Sequence, residues 1–302
     1  MSADNDPAYD RRRLKRRLSF WRIVAILLVI VLGVWIYNDS TDDDPVDHVA
    51  RLDVSEIILE NERRQKAIER IANDDTAKAL IVYINSPGGS TYGSERLFKA
   101  LRRVAAKKPV VTIIGTVGAS GGYMTALAGD RIFAGESSIT GSIGVIVQLT
   151  EFSELMKKVG VTATAITSGG VKGEPSPFKP ISAAGKENLQ SMVTETYDWF
   201  VDLVVSRRPL DEAEVRRLAD GRVLIGISAL RNKLIDELGG VLEARAWLES
   251  ARKIPASLPL QTVDYSKPKP LVARLLEGSL GKSVISERLT LDGLLSVWHP
   301  ES

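Results

Sequence analysis

Short apolar runs alternate with amphipathic segments along the chain from residue 49 onward. The run Ala79–Ile84 is hydrophobic at every position, which is typical of a strand that is buried on both faces of a sheet. Tyr92–Ala106 instead has apolar residues at helical spacing and Lys or Arg on the opposite face. Strands that alternate with helices through short turns predict an α/β fold, in which helices cover a mostly parallel sheet.

The same patterns set the expected elements and domain limits. The predicted strands are Val49–Leu59, Ala79–Ile84, Val110–Ile114, Arg131–Ala134 and Thr162–Thr167, with a strand or turn at Ile139–Val145. The predicted helices are Glu60–Ala72, Tyr92–Ala106, Met124–Ala128, Glu151–Val159, Ser182–Arg208, Asp211–Ala219 and Val241–Arg252. We assign residues 49–254 to one domain. Residues 255–302 form a proline-interrupted C-terminal extension, with a helix expected at Leu271–Leu276 and an apolar segment at Leu291–Trp298.

An apolar run near the N-terminus, Ile23–Tyr37, follows the basic cluster Arg11–Arg17. Aromatic residues stand at both ends of this run, whose length is at the short end of the roughly 17–25 residues that span a bilayer. We therefore predict a transmembrane anchor at residues 20–37, a basic cytoplasmic tail at 1–19 and an acidic linker at 38–48, with the bulk of the chain outside the cytoplasm. The alternatives are a twin-arginine signal and a cleaved secretory signal, although no small-residue cleavage site follows the run.

The composition excludes several kinds of chemistry. The chain contains no cysteine, which excludes thiol nucleophiles, thiolate metal sites and disulfides. Its two histidines, His48 and His299, lie near opposite ends of the predicted soluble part, and we expect both at the surface. A Ser-His-Asp triad or a histidine-rich metal site is therefore not expected. Residues 1–22 carry seven Lys or Arg and three Asp, which leaves the remainder with a net charge of −2 and argues against nucleic-acid binding.

One serine lies among small residues between a predicted strand and a predicted helix. Ser120 stands in the stretch Gly115–Tyr123, directly after the strand Val110–Ile114. Glycines on both sides permit a sharp turn, and the helix start supplies backbone N–H groups where an oxyanion could form. This layout is that of a nucleophile elbow, and without a nearby histidine the base should be a lysine or a carboxylate. The alternative is a serine that only caps the helix.

Six small-residue motifs follow one another along the domain, and the first five of them lie in four loops that can converge at one edge of the sheet. They are Ser86–Gly89, Gly118–Tyr123, Thr140–Val145, Ser168–Lys172, Ser176–Phe178 and Ala219–Val223. In this order they resemble the signal peptide peptidase A family (peptidase family S49), membrane-anchored serine proteases with a Clp protease/crotonase-like fold of repeated ββα units. The resemblance covers about residues 49–250, and the chain length is similar to that of the short form of the family.

The resemblance implies a Ser-Lys dyad, with Ser120 as the nucleophile and Lys172 as the general base. It further implies that the backbone N–H groups of Gly89 and Gly121 form the oxyanion hole. Ser142 matches the position that orients the lysine. Ser168 is a weaker candidate for that role, and each of these serines read alone is a turn residue.

A lysine accepts a proton at neutral pH only where its surroundings favour the uncharged amine, as burial does. We expect apolar neighbours of Lys172 to form such a pocket, namely Val171, Pro175, Pro177 and Phe178. Read without the resemblance, Lys172 would be an ordinary exposed loop lysine. The segment Gly173–Ser176 departs from the family pattern, in which an acidic residue directly follows the lysine, so its loop conformation is an open question.

The resemblance also implies a substrate and a location. Substrates would be apolar peptides such as signal-peptide remnants, cleaved on the external side of the inner membrane of a bacterium, with no metal or other cofactor. A homo-oligomer, most simply an octamer, is expected, and Tyr197, Trp199 and Phe200 are candidates for its interface. The alternatives are a crotonase-like acyl-CoA hydrolase or isomerase and a non-catalytic membrane-tethered scaffold.

Overall fold

The computed structural model of the protein describes residues 7–40 and 46–265. The chain divides into two compact units, Met1–Val263 and Asp264–Ser302, and the fold below is that of the first unit. The segments predicted at Leu271–Leu276 and Leu291–Trp298, as well as His299, lie outside the described residues.

Most predicted elements are present, with limits within a few residues of those expected. The strands are β1 His48–Ile58, β2 Ala77–Gly89, β3 Val110–Ala119, β4 Arg131–Ala134, β5 Ile139–Gly141, β6 Val223–Ile225, β7 Glu237–Leu238 and β8 Leu260–Thr262. The helices are α1 Pro7–Ser40, α2 Glu62–Asn73, α3 Thr91–Ala105, α4 Gly121–Ala126, α5 Ser153–Lys158, α6 Ala183–Arg207, α7 Glu212–Leu218, α8 Gly226–Arg231 and α9 Val241–Arg252.

The strands form one mostly parallel sheet, as predicted. The main order is β6-β5-β3-β2-β1-β8, and β4 pairs with both β3 and β7 beside it. Only the β5–β6 pairing is antiparallel. Along β3, Val111–Ile114 pair with β4, whereas Val117–Ala119 pair with β5. The sheet therefore forks within β3, between Ile114 and Val117, and the β5 branch stays paired up to Ala119, the residue before Ser120.

Both faces of the central strands are buried. On one face Ile81 and Phe133 share a core cluster with Leu248 of α9. Leu80 and Val82 alternate with Ile81 along β2 and are also fully buried, and α3 and α4 contact the same strand. Because successive strand residues point to opposite faces, burial on both sides explains the unbroken apolar run of β2.

Three expectations were wrong. Thr162–Thr167 is exposed and pairs with no strand of the described part of the chain, and β propensity is expressed only through such pairing. β8, Leu260–Thr262, pairs with β1, so the sheet continues past the expected domain end at residue 254. His48 is buried, and its ring Nδ1 lies 3.1 Å from the Val46 carbonyl oxygen.

The N-terminal helix α1 begins before the predicted anchor and ends after it. Within the described residues, the one helix that is long and apolar enough to cross a membrane spans Arg16–Val34, with a mean hydropathy of 2.2 and no buried residue. The backbone of α1 includes the basic cluster Arg11–Arg17 and continues to Ser40, into the segment predicted as an acidic linker.

Tyr123 ties the Ser120 turn to the loop that precedes β7. Its ring is fully buried, its hydroxyl donates to the Leu234 carbonyl oxygen at 2.8 Å, and burial raises the pKa of the Tyr123 hydroxyl, which keeps it a donor. We expect Tyr123→Phe to lower the free energy of unfolding by about 1 kcal/mol or somewhat more, because it leaves a buried carbonyl unpaired. Chemical denaturation followed by tryptophan fluorescence measures this change. The control is Tyr92→Phe, at a tyrosine that is 57% exposed; an equal loss in both variants would contradict the account.

Candidate active site

Ser120 occupies the sharp turn between β3 and α4. Its φ of 52° and ψ of −117° lie in a region that residues with a side chain rarely adopt, so the turn is strained. Two backbone hydrogen bonds hold it: the Ser120 N–H donates to the Gly141 carbonyl oxygen at 2.8 Å, and the Met124 N–H donates to the Ser120 carbonyl oxygen at 2.9 Å. Its side chain makes no helix-capping hydrogen bond, so the capping interpretation does not hold.

The backbone of Gly88 and Gly89 lies directly against this turn. A Cβ atom built on Gly88 would lie 2.9 Å from the Gly121 nitrogen, and one built on Gly121 would lie 3.3 Å from the Gly89 nitrogen. Gly89 itself has no room for a side chain, because its Cβ would lie 2.0 Å from the Ile58 carbonyl oxygen. The peptide nitrogens of Gly89 and Gly121 are thus neighbours, as two oxyanion-hole donors must be.

The Gly121 peptide is well placed to donate. Gly121 is the first residue of α4, where backbone N–H groups have no acceptor within the helix. On its other side, the Gly121 carbonyl oxygen accepts a hydrogen bond from Thr125 Oγ1 at 2.9 Å, which fixes the orientation of the residue.

Ser120 lines two cavities. The larger, of about 470 Å³, also contains Ser142, and its wall is supplied by the 142–146 segment, α6 and the turn after α7: Gly144, Val145, Ile146, Gln190, Val193, Thr194, Tyr197, Ala219, Asp220 and Gly221. The smaller, of about 90 Å³, contains both oxyanion-hole candidates, Gly89 and Gly121. The structure therefore brings Ser120, Ser142, Gly89 and Gly121 together.

Ser142 is held by its backbone. It has a φ of 49°, and its N–H donates to the Arg222 carbonyl oxygen at 2.8 Å, which joins it to the turn before β6. Among the described residues that line the larger cavity, the one carboxylate is Asp220. It accepts hydrogen bonds from the Arg222 guanidinium, whose Nε lies 2.8 Å from either oxygen. These bonds lower the pKa of Asp220 to about 2, so Asp220 is a poor proton acceptor.

Lys172 is not among the residues that line either cavity. It lies exposed in the loop between α5 and α6, where its backbone N–H donates to the Gly169 carbonyl oxygen at 3.1 Å. The apolar pocket expected around it does not form within one chain, because its intended members are exposed as well: Val171, Pro175, Pro177 and Phe178. Ser168, the weaker candidate for orienting the lysine, is also exposed.

The loop that carries Lys172 is anchored by Glu174. The Glu174 side chain is only 3% exposed, and its carboxylate accepts hydrogen bonds from Ser182 Oγ at 2.7 Å and from the Ser182 N–H at 3.2 Å. Lys179 Nζ lies 3.0 Å from the same carboxylate. Glu174 therefore binds the start of α6, where Ser182 also caps the Gly185 N–H.

Helix α6 supplies side chains that sequence reasoning did not place at the site. Tyr197, expected at an oligomer interface, lines the larger cavity, and Phe200 is buried in its own domain. Gln190, Val193 and Tyr197 share one face of the helix, and their spacing in the sequence indicates this shared face. The sequence alone could not assign that face to the site, because only the tertiary fold shows which surface it contacts.

The comparisons with known proteins agree with this architecture. The profile described as Peptidase family S49 matches residues 102–255, and the one described as Clp protease matches residues 47–140. A protein of Synechocystis sp. whose name proposes a protease is 33% identical over 261 residues, covering 85% of this chain and 92% of the relative. Protease 4 of Haemophilus influenzae is 33% identical over 237 residues, which cover 77% of this chain and 36% of the relative.

A third relative, from Enterococcus faecium and named as a proposed signal peptide peptidase, SppA, is 36% identical over 190 residues. The match covers 62% of this chain and 55% of that relative.

The fold and the matches define the class as a serine peptidase with a Clp protease-like α/β domain. More narrowly, the chain belongs to peptidase family S49.

The Glu174 anchor predicts a pH dependence of the Lys172 loop. Hydrogen bonds from Ser182 and then Lys179 lower the pKa of Glu174 below its ordinary value of 4.5. The stabilisation is therefore complete above that ordinary value and is lost as the pH falls through the lowered one. We expect the protection factors of amide hydrogen exchange in residues 168–182, taken relative to the intrinsic rate at each pH, to fall in that acidic range, and Glu174→Gln to lower them already at neutral pH. The matched control is Glu187→Gln, at an exposed residue of α6; an equal loss of protection in both variants would contradict the anchor.

Proposed function

We propose that the protein is a membrane-anchored serine endopeptidase in which Ser120 and Lys172 form the catalytic dyad. The observation that carries the proposal is the position of Ser120: a strained turn, beside two glycine peptide nitrogens, at the meeting of two cavities. A residue held at unfavourable dihedral angles by its surroundings is a frequent mark of a functional site.

The proposed reaction is acyl transfer to Ser120. Its Oγ attacks the peptide carbonyl carbon, its proton passes to the uncharged Lys172 amine, and the carbonyl oxygen becomes an oxyanion held by the N–H groups of Gly89 and Gly121. Lys172 then protonates the leaving amine as the C–N bond breaks. In the second half of the reaction, Lys172 takes a proton from a water molecule that attacks the acyl carbon, and returns it to Ser120 Oγ as the ester bond breaks and the acid product leaves. Ser142, in the same cavity as Ser120, orients the lysine.

Assembly provides the route by which Lys172 reaches Ser120. The segment from residue 144 to 181 exposes many large apolar side chains: Ile146, Val147, Leu149, Phe152, Leu155, Val159, Val161, Ile166, Val171 and Phe178. Apolar surface on this scale is usually covered by a partner. In our proposal the partner is a second copy of the chain in a homo-oligomer, an octamer by family resemblance. Contact with that copy buries this segment and brings Lys172 of one copy beside Ser120 of the next.

The N-terminal helix supports a membrane location. Arg16–Val34 is long enough to cross a bilayer, and the Lys and Arg residues that precede it favour the cytoplasmic side for that end. The peptidase domain then lies on the external side of a bacterial inner membrane. Apolar peptides, including signal-peptide remnants, are the proposed substrates, since an anchored domain encounters segments that leave the bilayer.

Replacing either member of the dyad should abolish cleavage. We expect Ser120→Ala and Lys172→Ala each to lower kcat on an apolar fluorogenic peptide by about 10⁴-fold or more, because nucleophile and base act as one unit. Lys66→Ala, at an exposed lysine of α2, is the control and should keep full activity. Retention of activity by either dyad variant would refute the mechanism.

Mixing the two inactive variants tests where the base comes from. In oligomers assembled from both, some sites combine the intact Ser120 of one copy with the intact Lys172 of another. We therefore expect co-assembled Ser120→Ala and Lys172→Ala chains to regain part of the wild-type activity. If mixed oligomers are shown to form and stay inactive, the base belongs to the same chain as the nucleophile.

The absence of cysteine makes the topology simple to test. Single replacements Ser2→Cys and Ser250→Cys place one thiol on either side of α1, and Ser250 is exposed on α9. We expect a membrane-impermeant maleimide to label only Ser250→Cys in cells stripped of outer barriers, and both variants after lysis. Labelling of Ser2→Cys alone before lysis would show that the orientation is the opposite of the one proposed.

A further inference from the structure

A buried hydroxyl group next to the candidate oxyanion hole has no partner. Ser94 lies in the first turn of α3, is fully buried, and its Oγ makes no hydrogen bond within the described part of the chain. Its N–H donates to the Ser90 carbonyl oxygen at 3.0 Å, as the helix requires, so only the side chain is unpaired. Buried hydroxyl groups are nearly always hydrogen-bonded, and an exception indicates a functional role or a bound partner.

The Ser94 hydroxyl lies against Gly121, one of the two glycines proposed to stabilise the oxyanion. A Cβ atom built on Gly121 would lie 2.2 Å from Ser94 Oγ and 3.3 Å from the Gly89 nitrogen, so both groups flank the same face of Gly121. Ser94 also lines the cavity of about 90 Å³, together with Gly89, Ser120 and Gly121. The unpaired hydroxyl therefore shares a small cavity with the nucleophile and with both candidate donors.

Two neighbouring hydroxyl groups, those of Thr125 and Ser90, are engaged in hydrogen bonds. Thr125 Oγ1, on the other side of Gly121, donates to the Gly121 carbonyl oxygen at 2.9 Å. Ser90 Oγ accepts a hydrogen bond from the Gly93 N–H at 3.2 Å and caps α3. A fold that satisfies these two hydroxyl groups locally leaves Ser94 free to rotate its O–H bond.

We propose that Ser94 is a third hydrogen-bond donor of the oxyanion hole. Its O–H group turns toward the substrate oxygen as negative charge develops there, and so adds to the donation from Gly89 and Gly121 in the transition state. This inference rests on the proposed function, because the oxyanion forms only if Ser120 attacks a carbonyl group. It also accounts for the unpaired hydroxyl, which lowers stability in the resting protein and acts during the reaction.

The test is Ser94→Ala in the full-length protein in detergent. We expect kcat on an apolar fluorogenic peptide to fall by about 100-fold to 1,000-fold with little change in KM, as for a lost oxyanion-hole donor. A peptide boronic acid, which bonds reversibly to Ser120 Oγ as a tetrahedral adduct, should bind more weakly by a similar factor. The unfolding temperature should stay the same or rise, because an unpaired buried hydroxyl is removed.

Two further variants separate donation from packing. Ser94→Cys keeps the side-chain volume with a weaker donor and should give an intermediate kcat. Ser138→Ala removes a buried hydroxyl that bonds the Gly135 N–H at 2.9 Å and the Ile114 carbonyl oxygen at 3.1 Å, so it should lower the unfolding temperature and leave kcat unchanged.

Two results would overturn the role of Ser94 while the proposed function stands. One is an unchanged kcat in Ser94→Ala, and the other is a loss of kcat that only accompanies a loss of stability, with boronate affinity unchanged. If the wild-type protein neither cleaves the peptide nor binds the boronate, the proposed function fails and the role of Ser94 fails with it.

Discussion

The close contact of two backbone turns without side chains is the constraint on which the candidate site depends. A Cβ atom on Gly88 would lie 2.9 Å from the Gly121 nitrogen, and one on Gly121 would lie 3.3 Å from the Gly89 nitrogen, so the two turns leave little or no room for a side chain between them. Only a glycine pair at the end of β2, facing the strained turn at the end of β3, allows this approach. The fork of the sheet after Ile114 lets β5 bond the Ser120 turn directly, through the Gly141 carbonyl oxygen.

In our proposal, this arrangement supplies half of an acyl-transfer site within one chain. Ser120, the proposed nucleophile, lies with the glycines proposed as backbone donors beside two cavities, whereas the proposed base lies on an exposed loop rich in apolar side chains. In our proposal, oligomerisation buries this loop and completes the site. Such a protein would be inactive as a single chain, which limits uncontrolled proteolysis before assembly.

The sequence predicted those features that depend on local patterns. The capping residues Ser182 and Asp211 gave the starts of α6 and α7 to within a residue, because capping leaves a direct trace in sequence. The apolar run Ala79–Ile84 located β2 but not its end, which lies at Gly89. The turn at Ser120 was predictable because a sharp strand-to-helix turn requires small residues. The expectation that Gly89 and Gly121 lie together came from the family resemblance and not from any local pattern.

Features that depend on long-range contacts were not predictable. Thr162–Thr167 has the composition of a strand but no neighbour to pair with, and Val171 and Phe178 cannot enclose Lys172 without a partner surface. Ser94 looks like any small residue in a helix until α3 and α4 are placed side by side. The burial of His48 likewise results from the packing around the start of β1, since histidine itself is compatible with either environment.

The central claim is that Ser120 is the nucleophile, and mass spectrometry of the covalently labelled protein tests it most directly. Wild-type protein is treated with a fluorophosphonate, digested, and the modified residue is identified by fragmentation. The account predicts a single adduct on Ser120, formed more slowly in Lys172→Ala and absent from Ser120→Ala. An adduct on another residue such as Ser142, or no adduct on protein that cleaves peptides, would contradict it.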